Sequence, residues 1–315
     1  MQKKLILKKW NVLVLFFLLG TSLSNAQQQA QFTQYMYNPF SINPAFTGYR
    51  NTLNVVAMHR SQWIGIDNSP TSQTIAIQSP LKDGKNGIGL DIYNDELYPG
   101  QSIGASANYS YTIEMGKSNF AFGVKAGAKR FSLDYSNLTL ENQTDESFES
   151  IRNKFTPQIG LGFLLYNEKY FVGISTPNVY ENTYAKKRLT DNTLYEVVEK
   201  TNFYIMGGYQ FDVSPTLQFK PTTLIKAVSG APVQIDVSAN FMYNKLLTLG
   251  VAYRYEAAAS GLIGYQVSRD FMVGLAYDYD LTELSNYNKG SAEVMLRYEL
   301  FNKGINKRIL NPRIF

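Results

Sequence analysis

The chain has no cysteine in its 315 residues. That excludes disulfides, thiolate metal sites and a lipid-attachable cysteine behind a signal peptide. A single histidine, His59, excludes a multi-histidine metal centre and every two-histidine motif. Charged residues make up 17%, below the roughly 25% usual for soluble domains. Beyond residue 26 no apolar run approaches the roughly 20 residues that a membrane helix needs. A mature chain resident in a membrane must then cross it as a closed barrel, because lipid offers no partner to an open sheet edge.

What the chain has instead is aromatic and patterned: 23 Tyr and 19 Phe, with 23 Gly. The first residues form an export signal. Lys3, Lys4, Lys8 and Lys9 are the positive region, Val12 to Leu19 an unbroken apolar run, and Ser24, Asn25 and Ala26 the small residues of a cleavage site. The mature chain is expected to begin at Gln27, on its way to a Gram-negative outer membrane. Losing those four lysines takes the formal charge from +5 to +1, which removes the main support for a nucleic-acid partner.

From residue 51 onward the sequence alternates. Phe271, Val273, Leu275, Tyr277 and Tyr279 share one face of a strand; Met272, Gly274, Ala276, Asp278 and Asp280 share the other. Segments 233–241 and 247–256 read the same way. Lengths near ten residues suit a tilted transmembrane strand, and tyrosines gather where an apolar face would meet the lipid–water boundary. Fourteen strands are expected: 51–60, 71–79, 86–93, 101–113, 118–131, 155–166, 168–175, 200–212, 215–228, 231–243, 245–256, 260–267, 270–281 and 290–301. Connections after even-numbered strands are short. Most others are longer, notably 61–70, 132–154, 176–199 and 282–289. An even strand number with short periplasmic turns is the bacterial pattern, and it puts both mature termini on the periplasmic side.

The expected organisation is a signal peptide over 1–26, a periplasmic or plug segment over 27–50, an all-β transmembrane antiparallel barrel over 51–301, and a basic periplasmic tail over 302–315. Residues 27–50 hold two Asn-Pro pairs, which break regular structure, and are aromatic enough to cover or plug the periplasmic mouth.

Chemistry is scarce. His59 and Ser61 are the ingredients of a serine hydrolase, yet residues i and i+2 of a strand lie roughly 7 Å apart, too far for a direct hydrogen bond. Gly87 with Gly89, and Gly160 with Gly162, are period-two strand glycines with no helix behind them to cradle phosphate. The acids over 132–154 lack EF-hand spacing and read as a solvated loop. No catalytic, cofactor or metal site is read. Asp236, Arg254, Glu256, Asp278, Glu293, Arg297 and Glu299 fall on the lumen face. They either pair across strands or line a pore or docking surface.

The opening of the mature chain carries a family pattern: Gln34, Tyr35, Asn38 and Pro39, then Asn43, Pro44, Ala45 and Gly48. Further echoes are Gln62 with Trp63, Asn94 with Asp95, Asp278, Glu293 and the closing Pro312 to Phe315. In these the chain resembles the PorP/SprF-type outer-membrane proteins of the type IX secretion system of Bacteroidota. Ala292 stands where the family often has histidine, and Ile314 where an aromatic is common, which bears on subgroup rather than membership.

The resemblance implies a non-enzymatic barrel without cofactor, working with type IX components. Its partner would be a cognate secreted surface protein with a C-terminal sorting domain, such as a gliding-motility adhesin, exported or anchored at the surface. Docking would draw on the motif residues Gln34, Tyr35, Asn38, Pro39, Asn43, Pro44, Gly48, Gln62, Trp63, Asp95, Asp278 and Glu293. A general diffusion porin is the rival reading; a lipid hydrolase built on His59 is the third.

Overall fold

In the computed structural model, residues 31–50, 52–136, 150–188 and 194–300 are described. The alternation closes into a barrel. Its strands are β1 (Leu53–Ser61), β2 (Thr71–Pro80), β3 (Asn86–Leu97), β4 (Gly100–Met115), β5 (Ser118–Leu133), β6 (Ile151–Tyr166) and β7 (Tyr170–Thr176). A hairpin of β8 (Asn182–Arg188) and β9 (Leu194–Glu199) stands apart as its own sheet. The barrel resumes with β10 (Asn202–Tyr209), which β11 (Phe211–Asp212) continues past Gln210. It ends with β12 (Leu217–Val228), β13 (Gln234–Tyr243), β14 (Leu247–Arg254), β15 (Ala258–Gln266), β16 (Phe271–Asp280) and β17 (Ser291–Leu300). Neighbours pair antiparallel, β10 pairs with β12, and β1 closes on β17 from Leu53 against Leu300 to Ser61 against Ala292. Counting β10 with β11 as one, the wall has the fourteen expected strands, and closure leaves it no open edge.

The two faces sort as the alternation requires. On β16 the inward Met272, Ala276 and Asp278 are buried, whereas the outward Leu275, Tyr277 and Tyr279 are 47%, 49% and 58% exposed. Outward apolar side chains recur around the wall, among them Ile75, Leu90, Phe163, Val172, Ile205, Val237 and Val251. A belt of large apolar side chains that runs around the wall is the surface that lipid covers in a transmembrane barrel. Aromatics mark its two margins, with Tyr253, Tyr277 and Tyr279 at one end of the strands and Tyr209, Phe211, Tyr243 and Tyr265 at the other.

At one end, the turn end, strands join through 81–85, 116–117, 167–169, 213–216, 244–246 and 267–270. Gly116 takes φ +63° in the tightest of these, and a side chain there would meet nothing, so backbone freedom alone selects glycine. The opposite, loop end carries the long connections and three short ones. One of these is shorter than the alternation implied: β3 and β4 extend until only Tyr98 and Pro99 separate them. Another holds Glu256, which sits exposed in the 255–257 turn at φ +53° and not on the lumen face. The 176–199 connection, expected as a loop, contains the β8–β9 hairpin.

Residues 31–50 lie inside the barrel. Three single 3-10 turns, Tyr35–Tyr37, Pro39–Ser41 and Pro44–Phe46, carry them along, and both Asn-Pro pairs open a turn with proline at its first position. Tyr35, Met36, Tyr37, Phe40, Phe46 and Tyr49 form one apolar cluster with the wall residues Leu164, Phe171, Met206, Leu224 and Met295. The segment does not merely cover a mouth. Gln31 bonds Asp236 and Gln234 at the loop end of β13, and Arg50 pairs with Glu299 at the turn end of β17, so the chain descends the whole lumen. The barrel's own ends, Leu53 and Leu300, share the turn end, and residue 31 is at the loop end; the mature termini, expected on one side, lie outside the described residues. Lying along the lumen buries more aromatic surface than capping it would, at about 25 cal/mol per Å². The expected signal peptide, the tail over 302–315 and the acids Glu141, Asp145, Glu146 and Glu149 lie outside the described residues.

Candidate functional site

Inward glycines set where the plug's backbone rests. A Cβ at Gly123 would overlap the backbone of Pro44 and Ala45, one at Gly87 the carbonyl of Thr47, and one at Gly162 the amide of Asn43. The pairs are strand glycines, as their spacing indicated; the plug needs Gly87, Gly89 and Gly162, whereas a Cβ at Gly160 would meet the Pro177 carbonyl. Asn43 is the pivot: its Oδ1 accepts from the Ala45 N–H at 2.9 Å and its Nδ2 donates to the Phe163 carbonyl at 3.1 Å. The Gly48 N–H donates to Gln78 Oε1 at 2.8 Å, with φ +72°.

Near the loop end a charged latch holds the plug's first turn. Arg60 of β1 pairs with Asp278 of β16 at 2.6 Å and also with Glu293 of β17. Glu293 accepts from the Thr33 N–H at 2.6 Å and the Gln34 N–H at 3.0 Å, and the Thr33 hydroxyl donates to Asp278 at 2.8 Å. Losing either partner of so buried a network leaves a charge without compensation, costing about 3–5 kcal/mol. Farther down, Lys125 joins Asp91 to the Ser41 carbonyl, both at 3.0 Å. The Tyr35 hydroxyl meets Thr222 at 3.0 Å, and Asn38 donates to Ser41 at 2.6 Å.

The loop-end mouth has two features. The hairpin is seated by Tyr184, which stacks on Phe131 at 4.2 Å between centroids, with Leu133 and Val197 beside them. Beneath it Lys129 pairs with Glu199, which also accepts from Asn182 and Tyr184. Burial, with Glu199 adjacent, holds the Tyr184 phenol well above its ordinary pKa, hence protonated. Across the mouth the 62–70 loop pairs with the 281–290 loop: Ile64 N–H to the Gly290 carbonyl at 2.8 Å, and Lys289 N–H to the Ile64 carbonyl at 2.7 Å.

The twelve motif residues therefore divide. Gln34, Asp278 and Glu293 meet at the latch, while Tyr35, Asn38, Pro39, Asn43, Pro44 and Gly48 are buried along the plug. Gln62 and Trp63 stand half-buried at the mouth, with Trp63 at φ +47°. Asp95 lies apart on β3, between Ser72 of β2 and Ser102 of β4.

His59 and Ser61 correct the distance argument: Nε2 and Oγ are 3.0 Å apart. Both side chains lean along the strand and close the gap between their backbones. The pair is exposed on the outward face, and the residues directly across from His59, Val294 and Gln73, are not acids. Among the described residues no group of three or more His, Asp or Glu could hold a metal ion.

The family model described as type IX secretion system membrane protein PorP/SprF matches residues 24–298. The chain belongs to this family. Similar solved structures include the outer membrane protein Omp33 of Acinetobacter baumannii, at 8% identity and TM-score 0.45, covering 80% of this chain and 100% of that one. The toluene transporter TbuX of Ralstonia pickettii is 12% identical with TM-score 0.46, over 82% of this chain and 91% of that one. The toluene transporter TodX of P. putida is 11% identical with TM-score 0.46, over 84% and 94%. No curated protein matches the chain.

Several residues that hold this PorP/SprF plug were given no role by the sequence: Thr33, Arg50, Arg60, Asp91 and Lys125. The signal was present, since the strand residues among them fall on the polar face of their own alternation. What was missing was the reason for a charge there, which only the plug supplies.

Proposed function

We propose that this PorP/SprF protein is a non-enzymatic outer-membrane component of type IX secretion. It assists export of a cognate protein bearing a C-terminal sorting domain, such as a gliding adhesin, and holds it at the cell surface. One observation carries the reading: an aromatic plug whose Phe40 and Phe46 are 0% and 1% exposed fills the lumen. A diffusion porin needs continuous water through its barrel; a filled one serves as a platform with two ends.

By the short-turn rule of bacterial barrels, the turn end faces the periplasm and the secretion machinery, and the loop end faces outward. The hairpin, Gln62, Trp63 and the ground around Asp95 then form the docking face. The buried motif residues act indirectly, by fixing the plug that shapes that face. The outward His59–Ser61 pair takes no part.

Deletion of the gene, followed by protease shaving and mass spectrometry of intact cells, tests the proposal. One sorting-domain protein should leave the surface, released or degraded, while the others remain. Unchanged display of all of them would sink it. Steady conductance of the full-length protein in planar bilayers would move the assignment to a porin.

A further inference from the structure

Among the described residues, the turn-end part of the lumen holds more buried positive charge than buried acid. Arg50 of the plug and Arg297 of β17 are each 4% exposed, and Glu299 lies within electrostatic reach of both. Glu299 is ion-paired to Arg50. Lys220 of β12, fully buried, lies within electrostatic reach of the two arginines.

Arg297 is left with poor partners. Its Nη2 donates to the Met272 sulfur at 3.0 Å, and its guanidinium carbon lies 5.5 Å from the Tyr37 ring centroid. Nε and Nη1 make no hydrogen bond. A thioether is a weak acceptor, a guanidinium stays charged at neutral pH, and a buried charge lacking hydrogen bonds is strongly disfavoured.

Gln34 is short of partners too. The Gln34 side chain lies with its carbonyl oxygen against Gly274, one step along the inner face of β16 from Met272, and neither that oxygen nor the amide nitrogen has a partner. Tyr37, Thr248 and Met272 converge at Gly264, where the Thr248 hydroxyl faces the Tyr37 phenol. Two buried groups with unused N–H donors, Gln34 on the plug and Arg297 on the wall, thus lie beside an excess of positive charge.

We propose that a small oxyanion, carboxylate or phosphate in chemistry, binds Arg297 in the turn-end lumen and ties the plug to the wall. It completes the guanidinium's hydrogen bonds, takes a donor from the Gln34 amide, and offsets the surplus charge that Arg50 and Arg297 set against Glu299. Bound there, it stabilises the plugged state. The source is either a free ion or a carboxylate carried by a peptide entering from the turn end.

The test uses the full-length protein in detergent, unfolded thermally in chloride, phosphate or acetate at matched ionic strength. Phosphate or acetate should raise the midpoint saturably, by about 5 °C, because a ligand of the native state alone adds stability by mass action. A response to phosphate alone assigns a free phosphate; a response to acetate assigns a carboxylate. Arg297→Met, which replaces the charge with a similar apolar shape, should abolish the response, and Arg297→Lys should keep part of it. Identical behaviour of the wild type and Arg297→Met, or no response beyond chloride, overturns the site. Should Arg297→Met fail to fold, equilibrium dialysis of the wild type with labelled phosphate and labelled acetate decides. One bound ion per chain upholds the site, and none of either, as for a site filled by water only, refutes it.

Discussion

The barrel has a tall side and a short side, and they are built for different tasks. β4, β5 and β6 run 16 residues each, whereas β13 to β17 run 8 to 10. A tilted strand of roughly ten residues just crosses an apolar band about 25 Å tall, so the tall strands overrun it by about six. Their outward faces record the crossing. On β5, Phe120, Phe122 and Val124 give way to Arg130 and Ser132, and Gln101 of β4 lies level with Ser132. The short side ends at the membrane and holds the plug's first turn through Asp278 and Glu293. The tall side rises beyond it and carries the hairpin on Phe131 and Leu133. Membrane thickness sets strand length on one side; packing above the membrane sets it on the other.

The largest way to break the comparison is on the short side. Arg60→Ala leaves Asp278 and Glu293 buried without their cation, and the plugged barrel should lose about 3–5 kcal/mol. Denaturant unfolding in detergent reads it, with hydrogen exchange showing the loss first at residues 31–35. Next comes the floor on which the tall side supports the plug. Gly123→Val drives a side chain into Pro44 and Ala45 and should cost about 3 kcal/mol, whereas Gly261→Ala on the short side, with nothing within 4 Å, should stay within about 0.5 kcal/mol. Equal losses at the two glycines would mean that the plug does not rest where the structure puts it.

Smaller and local, Tyr184→Ala removes the stack on Phe131 and should unseat the hairpin at a cost of about 2 kcal/mol. Exchange protection over 182–199 should fall while the barrel's melting is unchanged; a lowered barrel midpoint would show that the tall wall depends on its hairpin. The absence of cysteine allows a test of sidedness. Tyr287→Cys, at a loop-end residue 76% exposed, should react with an impermeant maleimide on intact cells, and Asp83→Cys at the turn end should not.

The smallest effect is electrostatic and should be alike at both ends. Backbone N–H groups of Asn86 and Ser136 hold the Asp83 and Asp134 carboxyls below their ordinary pKa. A lowered native pKa contributes stability above the unfolded value near 4 and loses it as pH falls through the native one. Amide exchange in both connections should therefore quicken only below about pH 4.

Much of this was legible from residues alone, for a definite reason. Lipid on one face and a packed lumen on the other leave a strand such as 271–280 no choice but to alternate. The two Asn-Pro pairs and surrounding aromatics likewise marked 27–50 as neither strand nor linker. Legibility failed where side chains reach along or between elements. His59 bonds Ser61 by leaning down its strand, Glu256 turns out of the lumen because β14 stops at Arg254, and β8 and β9 pair within a stretch too polar to show an apolar face.

By itself, then, the sequence determined the barrel, its fourteen strands and the identity of its inner and outer faces, because each follows from period-two patterning against lipid. Only the tertiary structure decided that residues 31–50 descend the lumen, that Arg60 latches them to two acids, and that Arg297 is buried with two nitrogens unbonded. Those outcomes depend on which residues meet across as many as 260 positions of chain, as Thr33 and Glu293 do, and no local pattern encodes such a meeting.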